Sequence, residues 1–240
     1  MHTLRRKLHL AVLRAMGREK LVFSPHGIAV QVPRDADVKL RYDLSRGRPY
    51  EHAEAEMITA HLKSGTPVIE LGGCLGIVSA LIRQQIGPAA PHIVVEANPR
   101  LARMCEPNAC IGANVGATQV VVAAVDYSGA ETVSFSSGRT AHGGHVSQSG
   151  DLSVQATTLS ALASNLPEGP FALICDIEGA EVGLIDNESD LLRRVSLFVL
   201  ETHPKVYAKG EVETGRLIEL IKAAGLHQVA QAKHVYAFAR

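Results

Sequence analysis

The segment 171–181, with the sequence FALICDIEGAE, places five apolar residues directly before a group of acids. A short run that is apolar throughout and ends in charge is typical of a strand buried on both faces of a parallel sheet. A second run, residues 195–200, is followed by ETHP at residues 201–204. Open sheets of this kind bind ligands at the carboxyl ends of their strands. We therefore expect the two polar strand ends to meet at a ligand site.

The same alternation of apolar runs and helical periodicity extends to both sides of this pair. It predicts strands at 67–71, 92–96, 118–124, 171–175, 195–200, 226–230 and 234–239, and helices at 76–86, 99–113, 180–193 and 211–224. This order predicts an α/β fold with a doubly wound, mainly parallel, seven-stranded sheet. The last two strands are joined by only three residues, which is too short for a parallel crossover. They are expected to form an antiparallel hairpin.

Residues 1–50 differ from the rest and are predicted to form an N-terminal extension of a domain at 51–240. Within the extension, residues 21–23 and 28–32 could pair as a hairpin, and a helix is expected at 51–62. Residues 1–18 carry five cations and no acid. Their apolar residues share one helical face: Leu4, Leu8, Val12 and Ala15. A targeting or membrane-surface helix is one interpretation. Because the apolar face is modest, the favoured interpretation is a helix packed on the domain or on a second subunit. The second case permits a homodimer.

The composition excludes several classes of partner. The 240 residues are 46% hydrophobic, and Lys+Arg 24 balances Asp+Glu 24, so no net charge attracts nucleic acid. Aromatic residues make up 4% of the chain, which argues against a base-stacking surface. The four cysteines form no Cys-x-x-Cys pair, so a zinc site is not expected and a reducing, cytoplasmic location is favoured. No apolar run is long enough to predict a transmembrane segment.

The segment 66–76, TPVIELGGCLG, reads as a strand, a glycine turn and the start of a helix. Gly72 and Gly73 would let the backbone approach a ligand, and Gly76 opens the helix whose amides point at it. The glycine spacing does not match the Gly-x-Gly-x-x-Gly pattern of a dinucleotide site. Glu96 ends the next strand, where an acid can accept hydrogen bonds from ribose hydroxyls. Asp126 ends a third strand, where it could hold an adenine amino group or simply form a turn.

Taken together, these motifs resemble the FkbM-type methyltransferases from about residue 50 to residue 204. The resemblance lies in YE at 50–51, the turn at 68–76, VEANP at 95–99, AVD at 124–126 with Gly129, TLSAL at 158–162, DIEGAE at 176–181 and ETHP at 201–204. The family's first turn usually reads Asp-x-Gly-Ala-Asn-x-Gly. This chain has Glu70 for the Asp, Gly73 for the Ala and Cys74 for the Asn, which puts any cofactor contact of the Asn side chain in doubt.

The resemblance implies a class I, Rossmann-like methyltransferase that uses S-adenosylmethionine to methylate a hydroxyl of a small molecule, sugar or natural product. The cofactor-binding residues that it implies, together with the strand-end reasoning, are Glu70, Gly72, Gly73, Gly76, Glu96, Ala97, Asp126 and Asp176. A nucleotide-dependent oxidoreductase on a related fold is an alternative, as is a catalytically silent binding protein. The retained acids and the broken dinucleotide pattern favour the methyltransferase.

The catalytic candidates are Asp176, Glu178 and His203. Methylation of a hydroxyl releases a proton, so a base or a metal assists it. Asp176 is the leading candidate to orient the acceptor or take its proton, and His203 could act as a base because it titrates near neutral pH. Glu181 is interpreted as an acid placed at a helix N-terminus. A metal is not predicted, although Asp176, Glu201 and His203 together would be an alternative site for Mg²⁺ or Mn²⁺.

Residues 136–150 are polar and glycine-rich and are predicted to be a long loop. The loop contains His142 and His145, which could belong to a lid over the acceptor or to a plain solvent loop. The predicted acceptor is a small molecule or a glycan, and nothing in the sequence identifies it further.

Overall fold

The computed structural model describes residues 2–138, 144–147 and 149–240. The helices in these ranges are α1 (His2–Ala15), α2 (Val38–Ser45), α3 (His52–His61), α4 (Ile77–Ile86), α5 (Pro99–Ala109), α6 (Leu159–Ala163), α7 (Glu181–Asn187) and α8 (Glu211–Ala223), with a 3₁₀ turn at Leu191–Arg194. The strands are β1 (Val22–Phe23), β2 (Val30–Gln31), β3 (Val68–Leu71), β4 (His92–Val95), β5 (Thr118–Val121), β6 (Ala124–Val125), β7 (Thr132–Ser136), β8 (His145–Val146), β9 (Leu152–Thr157), β10 (Phe171–Cys175), β11 (Val195–Glu201), β12 (His227–Ala232) and β13 (Val235–Ala239).

The main sheet has seven strands in the order β12-β13-β11-β10-β3-β4-β5. The five strands from β11 to β5 run parallel, and β13 pairs antiparallel with both β11 and β12. Every residue of β3, β4 and β10 is buried, because helices cover both faces of the sheet centre. The predicted doubly wound sheet with a C-terminal antiparallel hairpin is confirmed. The chain order changes between β3 and β10, so the ligand crevice is expected at their carboxyl ends.

After β5, the edge strand of the main sheet, the chain forms a second sheet of four strands in the order β6-β9-β7-β8. The expected loop at 136–150 was wrong in part, since β8 lies inside it and pairs antiparallel with β7. The predicted strand 118–124 was also too long, because β5 ends at Val121 and β6 joins the second sheet. Few side chains of this sheet are buried, namely Ala124, Val125, Phe135 and Val154. So small a core leaves almost no alternating pattern in the sequence. His142 lies outside the described residues.

The N-terminal segment shares the core of the main sheet. Phe23, Val30 and Leu40 pack in the same apolar cluster as residues of β3, β10 and β11. The predicted hairpin is present in shorter form, with Phe23 opposite Val30. Helix α2 was not predicted, since only Leu40 and Leu44 mark its apolar side, and its start depends on Asp37 accepting a hydrogen bond from the Leu40 amide at 2.8 Å. The boundary at residue 50 stays a prediction.

A buried asparagine joins this N-terminal segment to the ligand crevice. Asn108 on α5 accepts a hydrogen bond from the Gln31 amide at 2.7 Å and donates to the Gln31 carbonyl at 2.9 Å. The same side chain donates to the Leu75 carbonyl at 2.7 Å, in the glycine turn. These contacts hold β2, the turn and α5 in one arrangement.

Helix α1 packs against α2, as the favoured interpretation expected. The packing face is a different one, however, because Leu10 is buried while Leu4, Leu8 and Val12 are exposed. Across the part of the chain that the structure describes, no helix combines the length and the apolar character needed to cross a membrane.

Candidate functional site

The turn after β3 brings the ends of two neighbouring strands unusually close. Gly72 has φ +95°, and a Cβ atom on it would lie 1.9 Å from the carbonyl oxygen of Asp176, which follows β10. Only glycine fits both the left-handed backbone and this distance. The predicted glycine turn and the predicted acidic motif therefore share a backbone contact.

The other two glycines of the turn serve packing. A Cβ on Gly73 would lie 2.4 Å from Val94 Cγ1, and one on Gly76 would lie 2.5 Å from the Cys105 carbonyl oxygen. Both glycines let the turn approach β4 and α5, and neither lines the cavity described below.

Glu70 is also placed away from the cavity. Its carboxylate is buried, accepts a hydrogen bond from the Ser79 hydroxyl at 2.8 Å and contacts His92 Nε2 at 2.9 Å. These contacts connect β3 to α4 and β4 beneath the turn. The geometry therefore gives Glu70 a part in holding the turn, with no direct access to a ligand in the cavity.

Glu96 lies at the end of β4, and both of its carboxylate oxygens accept backbone hydrogen bonds. One oxygen accepts from the Cys74 amide at 2.8 Å and the other from the Asn98 amide at 2.7 Å. Burial raises the pKa of Glu96 to about 7, although the two amide hydrogen bonds act in the opposite direction. Each oxygen keeps a free lone pair, so the side chain is fixed in place and can still accept from a ligand.

Glu96 and Asp176 line the same cavity, at the carboxyl ends of the parallel strands. Its polar rim includes Glu178, and Phe135 and Val146 bring the second sheet over it. The complete lining is Gly72, Cys74, Val95, Glu96, Ala97, Asn98, Leu101, Ala123, Ala124, Val125, Phe135, Ser137, Gly144, Val146, Asp176, Ile177, Glu178 and Ala180. A mostly apolar pocket with one acid on each side of β3, Glu96 and Asp176, suits a ligand that has both an apolar ring and polar groups.

Asp126 does not line this cavity. It lies at an adjoining depression that also includes Glu178 and His145. Its carboxylate accepts hydrogen bonds from both the amide and the hydroxyl of Ser128. These contacts match the turn interpretation, while the prediction of an adenine contact stays untested.

The acids after β10 converge on the histidine after β11. His203 Nε2 lies 3.3 Å from Asp176 Oδ1 and 3.6 Å from Glu178 Oε2. Asp176 Oδ1 is nevertheless a buried oxygen without a hydrogen-bond partner among the described residues. Asp176, Glu178 and His203 offer ligand atoms within 4.8 Å of one another, so these three could hold a metal ion. The alternative metal site expected from the sequence had Glu201 as its third ligand, whereas the structure places Glu178 there.

Glu181 orients this histidine, a role that the sequence reasoning missed. Its fully buried carboxylate contacts His203 Nδ1 at 3.0 Å and accepts a hydrogen bond from the Tyr207 hydroxyl at 3.0 Å. It also accepts from the amides of Ile177 and Gly179. The first acid of a helix normally needs no such partners, but His203 and Tyr207 are spaced one helical turn apart and could have indicated a shared polar contact.

The electrostatics of the cluster keep the histidine charged. Burial lowers the pKa of His203, but the hydrogen bond to Glu181 and the charges of Glu181, Asp176 and Glu178 outweigh it and raise the pKa to about 9. Burial, followed by the charge of Glu201, raises the pKa of Asp176 well above its usual range, against the opposing effect of His203.

Three further acids, like Asp176, have raised pKa values. Burial raises the pKa values of Glu178 and Glu201, and it raises the pKa of Glu54, a buried acid on α3 that the sequence reasoning did not single out. The next contribution for Glu54 is the charge of Asp176, so Glu54 belongs electrostatically to the same group. The site thus holds more carboxyl groups than its own cations can balance.

Backbone strain is concentrated around the site. Glu51, Cys74 and Glu178 have positive φ values of 39°, 46° and 51°. Non-glycine residues adopt this conformation at a cost of about 1–2 kcal/mol each. Burial also raises the pKa of the Cys74 thiol, which is therefore neutral. Strain of this kind tends to be kept where the geometry serves a ligand.

Comparisons with known proteins complete the description. A search among curated proteins found no match to the chain. Among solved structures, similarity was found to a TehB-like SAM-dependent methyltransferase from Corynebacterium glutamicum, with 13% identity, a TM-score of 0.46, and coverage of 84% of this chain and 94% of that one. Aeropyrum pernix fibrillarin, solved with bound S-adenosyl-L-methionine, has 14% identity, a TM-score of 0.44, and coverage of 78% and 72%. A methyltransferase from Pyrococcus furiosus has 12% identity, a TM-score of 0.45, and coverage of 99% and 98%.

A sequence comparison with protein families is more specific. The model of the methyltransferase FkbM domain matches residues 81–227, which is more than half of the chain. The matched part includes Glu96, the 176–181 motif and His203, while the glycine turn precedes it. The chain therefore belongs to the FkbM family of S-adenosylmethionine-dependent methyltransferases.

Proposed function

We propose that the protein is an O-methyltransferase that methylates a hydroxyl group of a small molecule or glycan. The observation that carries the proposal is the shared cavity, which is lined both by Glu96, after β4, and by Asp176, after β10, on the two sides of β3. A methyl donor and an acceptor must be held in line for transfer, and one continuous pocket meets that requirement.

The residues at the Glu96 end fit an adenosyl group. The Glu96 carboxylate is held by two backbone amides and keeps lone pairs for the ribose hydroxyls. Val95, Ala97 and Val125 offer apolar surface for the base. Bound S-adenosylmethionine would supply a methyl group on a positively charged sulfur. The contact of Gly72 with the backbone of Asp176 supports a short distance between this group and the acids.

Asp176 is the proposed proton acceptor. Its Oδ1 atom is buried without a hydrogen-bond partner among the described residues, so it can accept from an incoming hydroxyl. Burial raises its pKa, which makes the carboxylate a stronger base than an ordinary aspartate. Glu178 lines the same end of the cavity and is proposed to orient the hydroxyl.

His203 is proposed as a positioning residue that also balances charge. It does not line the cavity, and its pKa of about 9 leaves it protonated at neutral pH, so it is a poor base. Because Glu181 fixes Nδ1, the Nε2 proton faces Asp176 and Glu178. The imidazolium can therefore hold both carboxylates in place and stabilise the proton acceptor.

Two variants and a control test the proposal. Calorimetry should show S-adenosylhomocysteine binding to the protein and to Asp176→Asn, whereas Glu96→Gln should bind it at least tenfold more weakly, because an ionic hydrogen-bond acceptor is lost. With a panel of glycosides and alcohols, Asp176→Asn should lower kcat roughly 10²- to 10⁴-fold. Asp190→Asn, at an exposed position, is the control and should leave both readouts unchanged.

Three results would contradict the proposal. They are the absence of any heat with either adenosyl compound, full activity of Asp176→Asn, and mass spectra that place the transferred methyl on an amine in preference to a hydroxyl. The last result would preserve the methyltransferase and change only the acceptor class.

A further inference from the structure

Helix α1 turns an apolar stripe away from the rest of the protein. Leu4, Leu8 and Val12 follow one another at intervals of four residues, which places them on one side of the helix. Met16, directly after the helix, continues the row, because its amide donates a helical hydrogen bond to the Val12 carbonyl at 3.0 Å. The exposed fractions of these four side chains are 75%, 63%, 47% and 56%. A row of four exposed aliphatic side chains exceeds the scattered exposure that is ordinary for a protein surface.

The opposite side of α1 is attached to the protein, so the stripe cannot turn inward. Leu10 is buried, and the His9 ring packs edge-on against Tyr42 of α2 with 5.0 Å between ring centroids. His9 also approaches the Ser45 hydroxyl at 3.4 Å. The helix is therefore held in one orientation with its apolar stripe outward.

Exposed cations accompany the stripe. At about 100° per residue, Arg5 falls within the arc of the stripe, between Val12 and Met16, and Lys7 and Arg14 lie beyond the edge that Leu4 marks. Arg18 follows the end of the helix and is also exposed. None of the four makes an ion pair within the described residues. The sole acid of residues 1–34 is Glu19, whose carboxylate is taken up by Arg34 and Arg41. The positive charge of the helix is thus not neutralised by the protein.

We propose that α1 binds the surface of an anionic lipid bilayer, lying in the plane of the interface. An apolar stripe bordered by Lys and Arg matches the boundary between acyl chains and acidic headgroups. A second copy of the chain fits less well, because pairing two such stripes would bring like charges together. Nucleic acid fits less well because it would leave the apolar stripe exposed and because the helix carries no Phe, Tyr or Trp. The proposal is independent of the methyl-transfer chemistry.

The test is sedimentation with lipid vesicles. The full chain should bind vesicles of phosphatidylcholine with phosphatidylserine, and bind pure phosphatidylcholine far more weakly. Raising the salt to about 1 M should weaken the binding, because the screening length falls to about 3 Å. Replacing Arg5, Lys7 and Arg14 by Gln should weaken it roughly fivefold for each charge removed.

Variants separate the stripe from general charge. Leu8→Gln with Val12→Gln should lower vesicle binding at least tenfold, while Val212→Gln, at another exposed apolar position, should leave it unchanged. Lys63→Gln is the matched charge control. Circular dichroism and S-adenosylhomocysteine binding confirm that each variant is folded.

Three outcomes would overturn the proposal. One is equal binding to neutral and anionic vesicles, or binding to neither. Another is self-association in sedimentation velocity that the Leu8→Gln and Val12→Gln variant abolishes, which would assign the stripe to a second copy. The last is tighter binding to single-stranded RNA than to anionic vesicles.

Discussion

The two ends of the cavity differ in how completely their polar groups are satisfied. At the glycine-turn end, both oxygens of Glu96 accept hydrogen bonds from backbone amides, and beneath the turn, outside the cavity, Glu70 is held by Ser79 and His92. At the acidic end, Asp176 keeps a buried oxygen without a hydrogen-bond partner among the described residues, and the pKa values of Glu178 and of Glu201, which lies outside the cavity lining, are raised. One end is fixed by its own contacts, while the other has carboxyl groups in excess.

This difference indicates a division of work. A preorganised end binds its ligand without first rearranging, which favours affinity. Carboxyl groups that lack balancing cations bind protons and cations more readily, which favours proton transfer and a cationic ligand at the acidic end. The two ends meet at Gly72, and Glu181 supports the acidic end from behind. The predictions that follow concern Gly72 at the junction, Glu181 as the support and Glu96 at the fixed end.

Gly72→Ala breaks the junction and should have the largest effect. The new Cβ would lie 1.9 Å from the Asp176 carbonyl oxygen, and the residue has φ +95°. We expect urea unfolding to show a loss of about 3 kcal/mol or more in the free energy of unfolding. Gly112→Ala is the matched control, since Gly112 has φ +72° and no neighbour within 4 Å of its Cβ position. It should lose only about 1 kcal/mol. Equal losses would mean that the close approach carries no energetic weight.

Glu181→Gln removes the support and should cost about 2 kcal/mol, because a buried ionic acceptor loses its charge. It should also lower the pKa of His203 from about 9, which an NMR titration of the imidazole measures. A raised histidine pKa stabilises the fold below pH 6.5 and stops doing so as the pH rises through about 9. The stability difference from the unmodified protein should therefore shrink over that range.

Glu188→Gln is the control for this variant. Glu188 is also buried and accepts from the Tyr127 hydroxyl and the Ser160 amide, each at 3.0 Å, but it lies outside the cavity. It should lose comparable stability and leave the His203 titration unchanged. An unchanged His203 pKa in Glu181→Gln would contradict the orienting role.

The smallest effect is the pH dependence of donor binding at the fixed end. Glu96 has a pKa of about 7, so it is mostly protonated below that pH and cannot accept hydrogen bonds from two ribose hydroxyls. The affinity for S-adenosylhomocysteine should be constant above pH 8 and fall up to about tenfold per pH unit below 7. Glu96→Gln should bind more weakly and lose this slope. A slope that persists in the variant would assign it to another titratable group.

Much of this site could be predicted from strand ends. The acids at 96, 176 and 178 each follow an apolar run, and parallel strands bring their carboxyl ends to the same edge of a sheet. Which residues of the glycine turn face the cavity could not be predicted. Gly72 and Cys74 line the pocket, whereas Glu70, Gly73 and Gly76 of the same motif do not. The direction of a side chain at a turn depends on the element packed behind it, here α5 and β4.

The order of apolar runs, acids and glycines determined the α/β class, the seven-stranded sheet, its terminal hairpin and the family resemblance. These features depend on local periodicity and on the lengths of the connections, both of which are properties of the chain itself. The tertiary structure decided the second sheet beside the cavity, the support of His203 by Glu181, the raised pKa of Glu54 and the outward side of α1. Each of these arises between residues far apart in sequence, where burial and packing set hydrogen bonds and pKa values that no local pattern records.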